Sequence, residues 1–195
     1  WNTKAMITDE YKNEISISAK IPLPLVSGKD ARAGFGFVNQ RGDDVFIALT
    51  MNGEKNNITY YNLQVISKKF TNWNFNGAIT DITLWGDIRA EANSSEGVDV
   101  SVYVKDGKFT VGIGGYLVAE DVYAMDPDTK KNILEGDTAL KCGLQTANQS
   151  VTFTNVTLGS TKPEFQESLI GSEWDLSKID QGEVRATKAN WESPA

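Results

Sequence analysis

Apolar and polar residues alternate with period two along most of this chain, a pattern that predicts strands. Asn13–Ile21 sets Ile15, Ile17, Ala19 and Ile21 against Glu14, Ser16, Ser18 and Lys20. Ala33–Val38 and Asp44–Met51 are the next predicted strands, separated by the turn-rich run Asn39-Gln40-Arg41-Gly42-Asp43. Asn52-Gly53 predicts a tight turn before a strand over Ile58–Ser67, which is rich in aromatic and β-branched residues. Alternation then continues over Ala78–Glu91. Val98–Val104 and Lys108–Val118 flank Asp106-Gly107, a two-residue hairpin signal. Leu140–Thr146 and Ser150–Leu158 form a further predicted pair around Ala147-Asn148-Gln149.

No stretch of ten or more residues carries the helical period; Glu164–Ile170 comes closest and is too short for more than a turn or two. Many strands of similar length at short spacing, with Gly and Asn between them, specify an antiparallel sandwich or barrel. The 17 glycines suit its bulges and turns. A chain of 195 residues buries roughly 70% of its unfolded surface, so a core forms without disulfide or metal.

The expected division is a β-sandwich over 1–159, followed by a linker and tail over 160–195. Gly159-Ser160-Thr161-Lys162-Pro163 has linker composition, and beyond it come Trp174-Asp175-Leu176-Ser177 and the short alternating piece Gly182–Thr187. The final Trp191-Glu192-Ser193-Pro194-Ala195 echoes the opening Trp1-Asn2-Thr3-Lys4-Ala5. Either this is a chance match over three positions, or it marks a tandem repeat of about 190 residues. In the second case the tail supplies the sandwich's missing first strand, from this copy or the next.

Composition removes several chemistries. The absence of histidine excludes a Ser-His-Asp triad, an imidazole base and the common His-rich metal sites. The single cysteine, Cys142, excludes an intrachain disulfide or a CxxC site and reads as a small buried hydrophobe. A net charge of −7 and a pI near 4.7 argue against nucleic-acid and anionic-membrane partners. No apolar run approaches the ~20 residues of a membrane span. Opening on Trp1 rather than Met, the chain reads as a processed or excised piece whose signal peptide, if any, lay upstream. Carboxylates, amides and aromatic rings are the chemistry that survives.

Gly97–Val111, Gly143-Leu144-Gln145-Thr146 and Val151-Thr152-Phe153-Thr154-Asn155-Val156 together resemble the concanavalin A/laminin-G-like β-sandwich superfamily. There, a hairpin with a D-G turn precedes a closing G-L-x-T…V-x-F-x-N-[VI] strand pair. Trp174-Asp175-Leu176-Ser177 resembles the opening of such modules in multidomain bacterial glycoside hydrolases, with the fructan-binding modules of family 32 levanases and inulinases as the nearest match. The resemblance implies an antiparallel two-sheet jelly-roll sandwich and a general role in carbohydrate binding; no ligand-binding motif carries over residue by residue.

The strand Ala78–Glu91 carries the main site expectation. Ile82, Leu84, Gly86, Ile88 and Ala90 share one face; Asp81, Thr83, Trp85, Asp87, Arg89 and Glu91 share the other. An indole stacks on the C–H face of a sugar ring, while Arg and carboxylates bind hydroxyls through charge-assisted hydrogen bonds. The alternative is a solvated sheet face with cross-strand ion pairs. Tyr61, Tyr103 and Tyr116 are candidate extensions of the platform, and Trp73 in the loop Phe70–Asn76 is a candidate loop contact.

A structural calcium ion is the one cofactor expectation, with Asp126 and Asp128 as ligands in an acidic loop that also holds Asp121 and Asp137 nearby. The alternative is simple solvation of that loop. Arg41-Gly42-Asp43 would suggest integrin binding only at an exposed loop tip. Catalysis is disfavoured because no E-x-D-x-x-E carboxylate series, as in laminarinase-type sandwiches, lies on one strand. The functional expectation is a non-catalytic carbohydrate-binding module of a secreted or cell-surface bacterial glycoside hydrolase. Its partners would be a polysaccharide and the other modules of the same polypeptide. The alternative is a repeat of a surface adhesin acting as spacer or protein-binding domain.

Overall fold

In a computed structural model of the chain, residues 2–25, 30–55, 58–69, 78–84 and 97–166 are described, with backbone alone at 2, 52–55, 58–60 and 78–84. They contain eleven strands: β1 (Asn2–Met6), β2 (Glu14–Ile21), β3 (Arg32–Asn39), β4 (Asp44–Lys55), β5 (Ile58–Lys68), β6 (Ala78–Leu84), β7 (Val98–Lys105), β8 (Lys108–Ile113), β9 (Tyr116–Tyr123), β10 (Leu140–Ala147) and β11 (Thr154–Gly159). Each alternating segment needs one dry face, and two sheets packed together supply it. A six-stranded sheet runs β1-β10-β3-β4-β5-β6 and a five-stranded sheet runs β11-β2-β7-β8-β9, with antiparallel pairing throughout. The fold is an antiparallel two-sheet sandwich of jelly-roll type, as the alternation and the resemblance imply.

The core is the set of inward positions. Ile15, Ile17, Ala19 and Ile21 of β2 and Val98, Val100, Val102 and Val104 of β7 face Phe35 and Phe37 of β3, Val45, Ile47 and Leu49 of β4, and Leu63 and Val65 of β5. Phe37 meets Phe109 of β8 edge-on across the sandwich, with ring centroids 5.3 Å apart and planes at 67°, the arrangement aromatic quadrupoles favour. Cys142 lies in this core, where burial pushes its thiol up to about 11.

Four local expectations change. Asn52-Gly53 does not turn the chain: β4 continues to Lys55, and the register shift between Met51 and Gly53 absorbs the extra residue as a bulge. Lys108–Val118 is two strands, because Gly114 (φ 60°) and Gly115 (φ 84°) place consecutive left-handed residues in a tight turn between β8 and β9. Leu140–Thr146 and Ser150–Leu158 are not a hairpin: β10 pairs with β1 and β3, while β11 pairs with β2 in the other sheet. Finally, the N-terminal segment itself forms β1, an edge strand on β10.

The segment after β11, expected as a linker, lies on the sandwich. Lys162 pairs with Glu120 at 2.9 Å, and Gln166 exchanges backbone hydrogen bonds with Gly115 and Leu117. The Phe165 ring fills the notch above Gly112, lying 2.2 Å from where a Cβ would stand. Gly112 alternates with core residues Val111 and Ile113, so this strap crosses the outer face of the five-stranded sheet.

Candidate functional site

The outer face of the six-stranded sheet follows from the same alternation that builds the core. Where Phe35, Ile47, Leu63 and Cys142 turn inward, their strand neighbours face outward. Register aligns these neighbours in rows across the sheet. One row runs Lys4, Gln145, Gly34, Ala48, Gln64 and the Asp81 position; the next runs Ala147, Arg32, Thr50, Asn62 and the Thr83 position. On the other side of the first row lie Gly143, Gly36, Phe46 and Ile66. Glycine and alanine alternate there with amides, and Gln145 and Lys4 lie over the bare backbone of Gly36.

Close approach explains Gly36. A Cβ there would stand 2.2 Å from Gln145 Oε1 and 2.7 Å from Lys4 Cε. The Lys4 stem passes over the bare backbone and its ammonium reaches Asp44 at 2.5 Å. On the adjoining row, Arg32 Nε donates to Gln64 Oε1 at 2.6 Å, and Nη2 donates to Asp30 at 3.3 Å. Thr50 is tied to the Ala31 carbonyl at 2.8 Å. These polar groups are recessed: Gln145 is 2% exposed, Gln64 3% and Asn62 7%. The Asn62 Oδ1 is buried without a hydrogen-bond partner among the described residues. A buried amide oxygen left so costs about 1–3 kcal/mol unless a ligand or water donates to it.

The predicted platform divides between the two sheets. Asp81 holds the register position opposite Gln64 in the six-stranded sheet. Tyr103 belongs to β7 of the other sheet, opposite Ser16 and Thr110. Its hydroxyl donates to the Glu14 carboxylate, and this bond, then burial and the nearby charge of Glu14, pushes the phenol up to about 12. One surface therefore cannot hold both. Tyr61 corrects a further expectation: it faces the inter-sheet core at 0% exposure, because it keeps phase with Leu63 and Val65. Burial raises its phenol, with the Leu25 backbone opposing. Trp73, Trp85, Asp87 and Arg89 lie outside the described residues. The residues that sequence reasoning passed over are Arg32, Asn62, Gln64, Gln145 and Lys4. Their signal was present, since each is polar and alternates with core residues, but nothing in one strand says which partners lie beside it.

The acidic loop sits at the end of the sandwich, beside the β3–β4 turn. The Lys69 ammonium stands 2.6 Å from Asp126 and 3.5 Å from Asp128, between the two carboxylates expected to bind calcium. Asp126 Oδ1 also accepts the amides of Asp128 (2.8 Å) and Thr129 (3.1 Å). Burial alone would raise the Asp126 carboxyl; the Lys69 hydrogen bond and charge and those two amides outweigh it and hold it at about 2. No group of three or more Cys, Asp or Glu side chains among the described residues could hold a metal ion. A cavity of about 490 Å³ lies here, lined by Arg41, Asp43, Lys69, Asp126 and Glu135 among others.

Arg41-Gly42-Asp43 is not an exposed recognition loop. Asp43 is buried against Asn39 and accepts from Arg41 Nε at 2.9 Å. The Arg41 guanidinium also donates to the carbonyls of Glu135 (3.1 Å) and Ile133 (3.0 Å). It therefore clamps the 133–137 loop to the β3–β4 turn.

An antiparallel jelly-roll sandwich with a recessed, amide-lined outer face is thus the class of protein described. No protein-family model matches the chain, and no curated protein matches it. Solved structures resemble it in fold. The Bacteroides ovatus xyloglucan PUL GH43B is 10% identical with a TM-score of 0.41, over 82% of this chain and 32% of that one. This chain thus spans about a third of that protein's length. Sheep galectin-11 is 9% identical with a TM-score of 0.37, over 82% of this chain and 96% of its own. The PL7 alginate lyase AlyA1 from Zobellia galactanivorans is 11% identical with a TM-score of 0.37, over 77% and 63%. The likeness lies in the strand arrangement alone.

Proposed function

We propose that this chain is a non-catalytic carbohydrate-binding module of a secreted bacterial polysaccharide-active protein, with the outer face of the six-stranded sheet as its glycan-binding surface. The observation that carries the reading is the row of buried amides on this face beside Lys4 and Arg32, with an Asn62 carbonyl that has no hydrogen-bond partner among the described residues. A sugar hydroxyl is a donor of the right size for that oxygen, and Gln64, held by Arg32, adds a positioned amide. The strap of residues 160–166 on the opposite sheet supports the choice of face. Trp85, Asp87 and Arg89, which follow β6 in sequence, are the proposed stacking and hydroxyl-binding partners from the adjoining segment. Fructan oligomers are the ligands the family resemblance suggests.

A non-catalytic role is favoured by the placement of acids on this face. Among the described strands of this face the carboxylates are Asp44, bound to Lys4, and the Asp81 position. Their register separates them by more than about 13 Å along the strands, beyond the spacing of a glycosidase pair.

The test is titration calorimetry against fructan, glucan, galactan and uronan oligomers. Asn62→Ala should weaken binding about tenfold, and Trp85→Ala at least as much, with each thermal midpoint nearly unmoved. Unaltered affinity in both variants overturns this face as the site; absence of binding to the whole panel overturns the module reading.

A further inference from the structure

Building on that glycan-binding reading, and in place of the neutral fructan that the resemblance suggests, we infer that the ligand of this face carries carboxylate groups, as a chain of uronic acids does. The whole chain bears a net charge of −7. The described strands place Lys4, Arg32, Lys68 and Lys141 at outward positions of the six-stranded sheet, against Asp44 and the Asp81 position. At these described strand positions cations outnumber carboxylates four to two. Three of these cations have partners: Lys4 holds Asp44, Lys141 lies 4.8 Å over the Tyr11 ring, and Lys68 has interactions of its own.

Arg32 is different. Its side chain is 15% exposed, and Asp30, its carboxylate among the described residues, is 65% exposed at 3.3 Å. So solvated a pair contributes little. One guanidinium edge is fixed by the Nε bond to Gln64, which aims the group; Nη1 has no partner among the described residues. A planar, oriented and largely desolvated guanidinium with N–H groups left over matches a carboxylate, which it binds through short charge-assisted bonds. A neutral glycan on the same face would strip more water from Arg32 and return no charge. Asn62 stands two strands away in the same row, about 10 Å at ordinary strand spacing. Arg32 would then read the acid of one sugar while Asn62 receives a hydroxyl of a neighbour.

The experiment titrates the intact chain with hexamers of galacturonic, mannuronic and glucuronic acid, and with the same hexamers after carboxyl reduction. Reduction keeps the ring and its hydroxyls and converts each carboxylate to a neutral CH2OH group. At least one acid hexamer should bind about tenfold more tightly than its reduced form, with the difference falling as salt rises. Arg32→Gln should bring the two forms within about twofold, Arg32→Lys should keep part of the preference, and Lys108→Gln on the other sheet should change nothing. Circular dichroism and the thermal midpoint establish that each variant is folded. Equal affinity for acid and reduced forms, or an equal loss in Lys108→Gln, overturns the carboxylate inference while leaving the glycan-binding reading in place. No binding of either form, or of neutral oligomers, overturns both.

Discussion

Asp126→Asn separates charge from geometry in the acidic loop. The amide retains an oxygen for the Asp128 and Thr129 N–H groups and replaces the charged acceptor that faces Lys69 with an NH2 group. Lowering a carboxyl from 3.8 to about 2, at ~1.36 kcal/mol per pH unit, sets a ceiling of about 2 kcal/mol. Lys69 is 27% exposed, so solvent screening brings the expected loss at pH 7 to about 1–2 kcal/mol. Because the folded-state value is depressed, this stability is present above the unfolded value near 4 and is lost as pH falls through 2. About half remains at pH 3. Urea unfolding followed by tryptophan fluorescence measures it in wild type and variant across pH 7 to 2. The difference should shrink to under about 0.5 kcal/mol at pH 2. Adding calcium or a chelator should leave the wild-type midpoint in place, because Lys69 already occupies the position between the carboxylates. A pH-independent difference, or a midpoint that rises with calcium, would refute the reasoning.

Two further outcomes follow from packing. Phe37→Ala removes a fully buried ring and its edge-on partner contact with Phe109; denaturant unfolding should show a loss of about 3–5 kcal/mol, and a loss below ~1 kcal/mol would mean the two sheets do not interlock there. Gly112→Ala places a methyl where the Phe165 ring sits. The strap should lift and a glutamyl-specific protease should cleave faster after Glu164, with global stability falling by no more than about 1 kcal/mol. Phe165→Ala should reproduce the cleavage, and unchanged cleavage in both would show that the notch does not hold the strap.

The site was legible in part, and the limit is specific. Asp81 and Thr83 were assigned to the face opposite Ile82, and the β5–β6 ladder agrees, since it sets them against outward Gln64 and Asn62 and sets Ile82 against core Leu63. Tyr61 and Tyr103 misled because each is aromatic with polar neighbours, a description equally true of an inward and an outward tyrosine. Strand phase decides between them, and phase is fixed by which neighbours reach the core. Asp126 and Asp128 had ligand-like spacing, yet nothing near them in sequence shows that Lys69, more than fifty positions upstream, pairs with both.

By itself, the sequence determined the strands, their inward faces and the all-β class, because a pleated strand in water must sort its side chains by polarity every second residue. It also excluded every chemistry that needs histidine or paired cysteines. Only the tertiary structure decided which strands are neighbours. β10 and β11 are adjacent in sequence yet lie in different sheets, while Arg32, Asn62, Gln145 and Lys4 come from four strands and share one face. Pairing between strands is set by burial of the whole core, a property of all eleven strands together that no single strand's pattern contains.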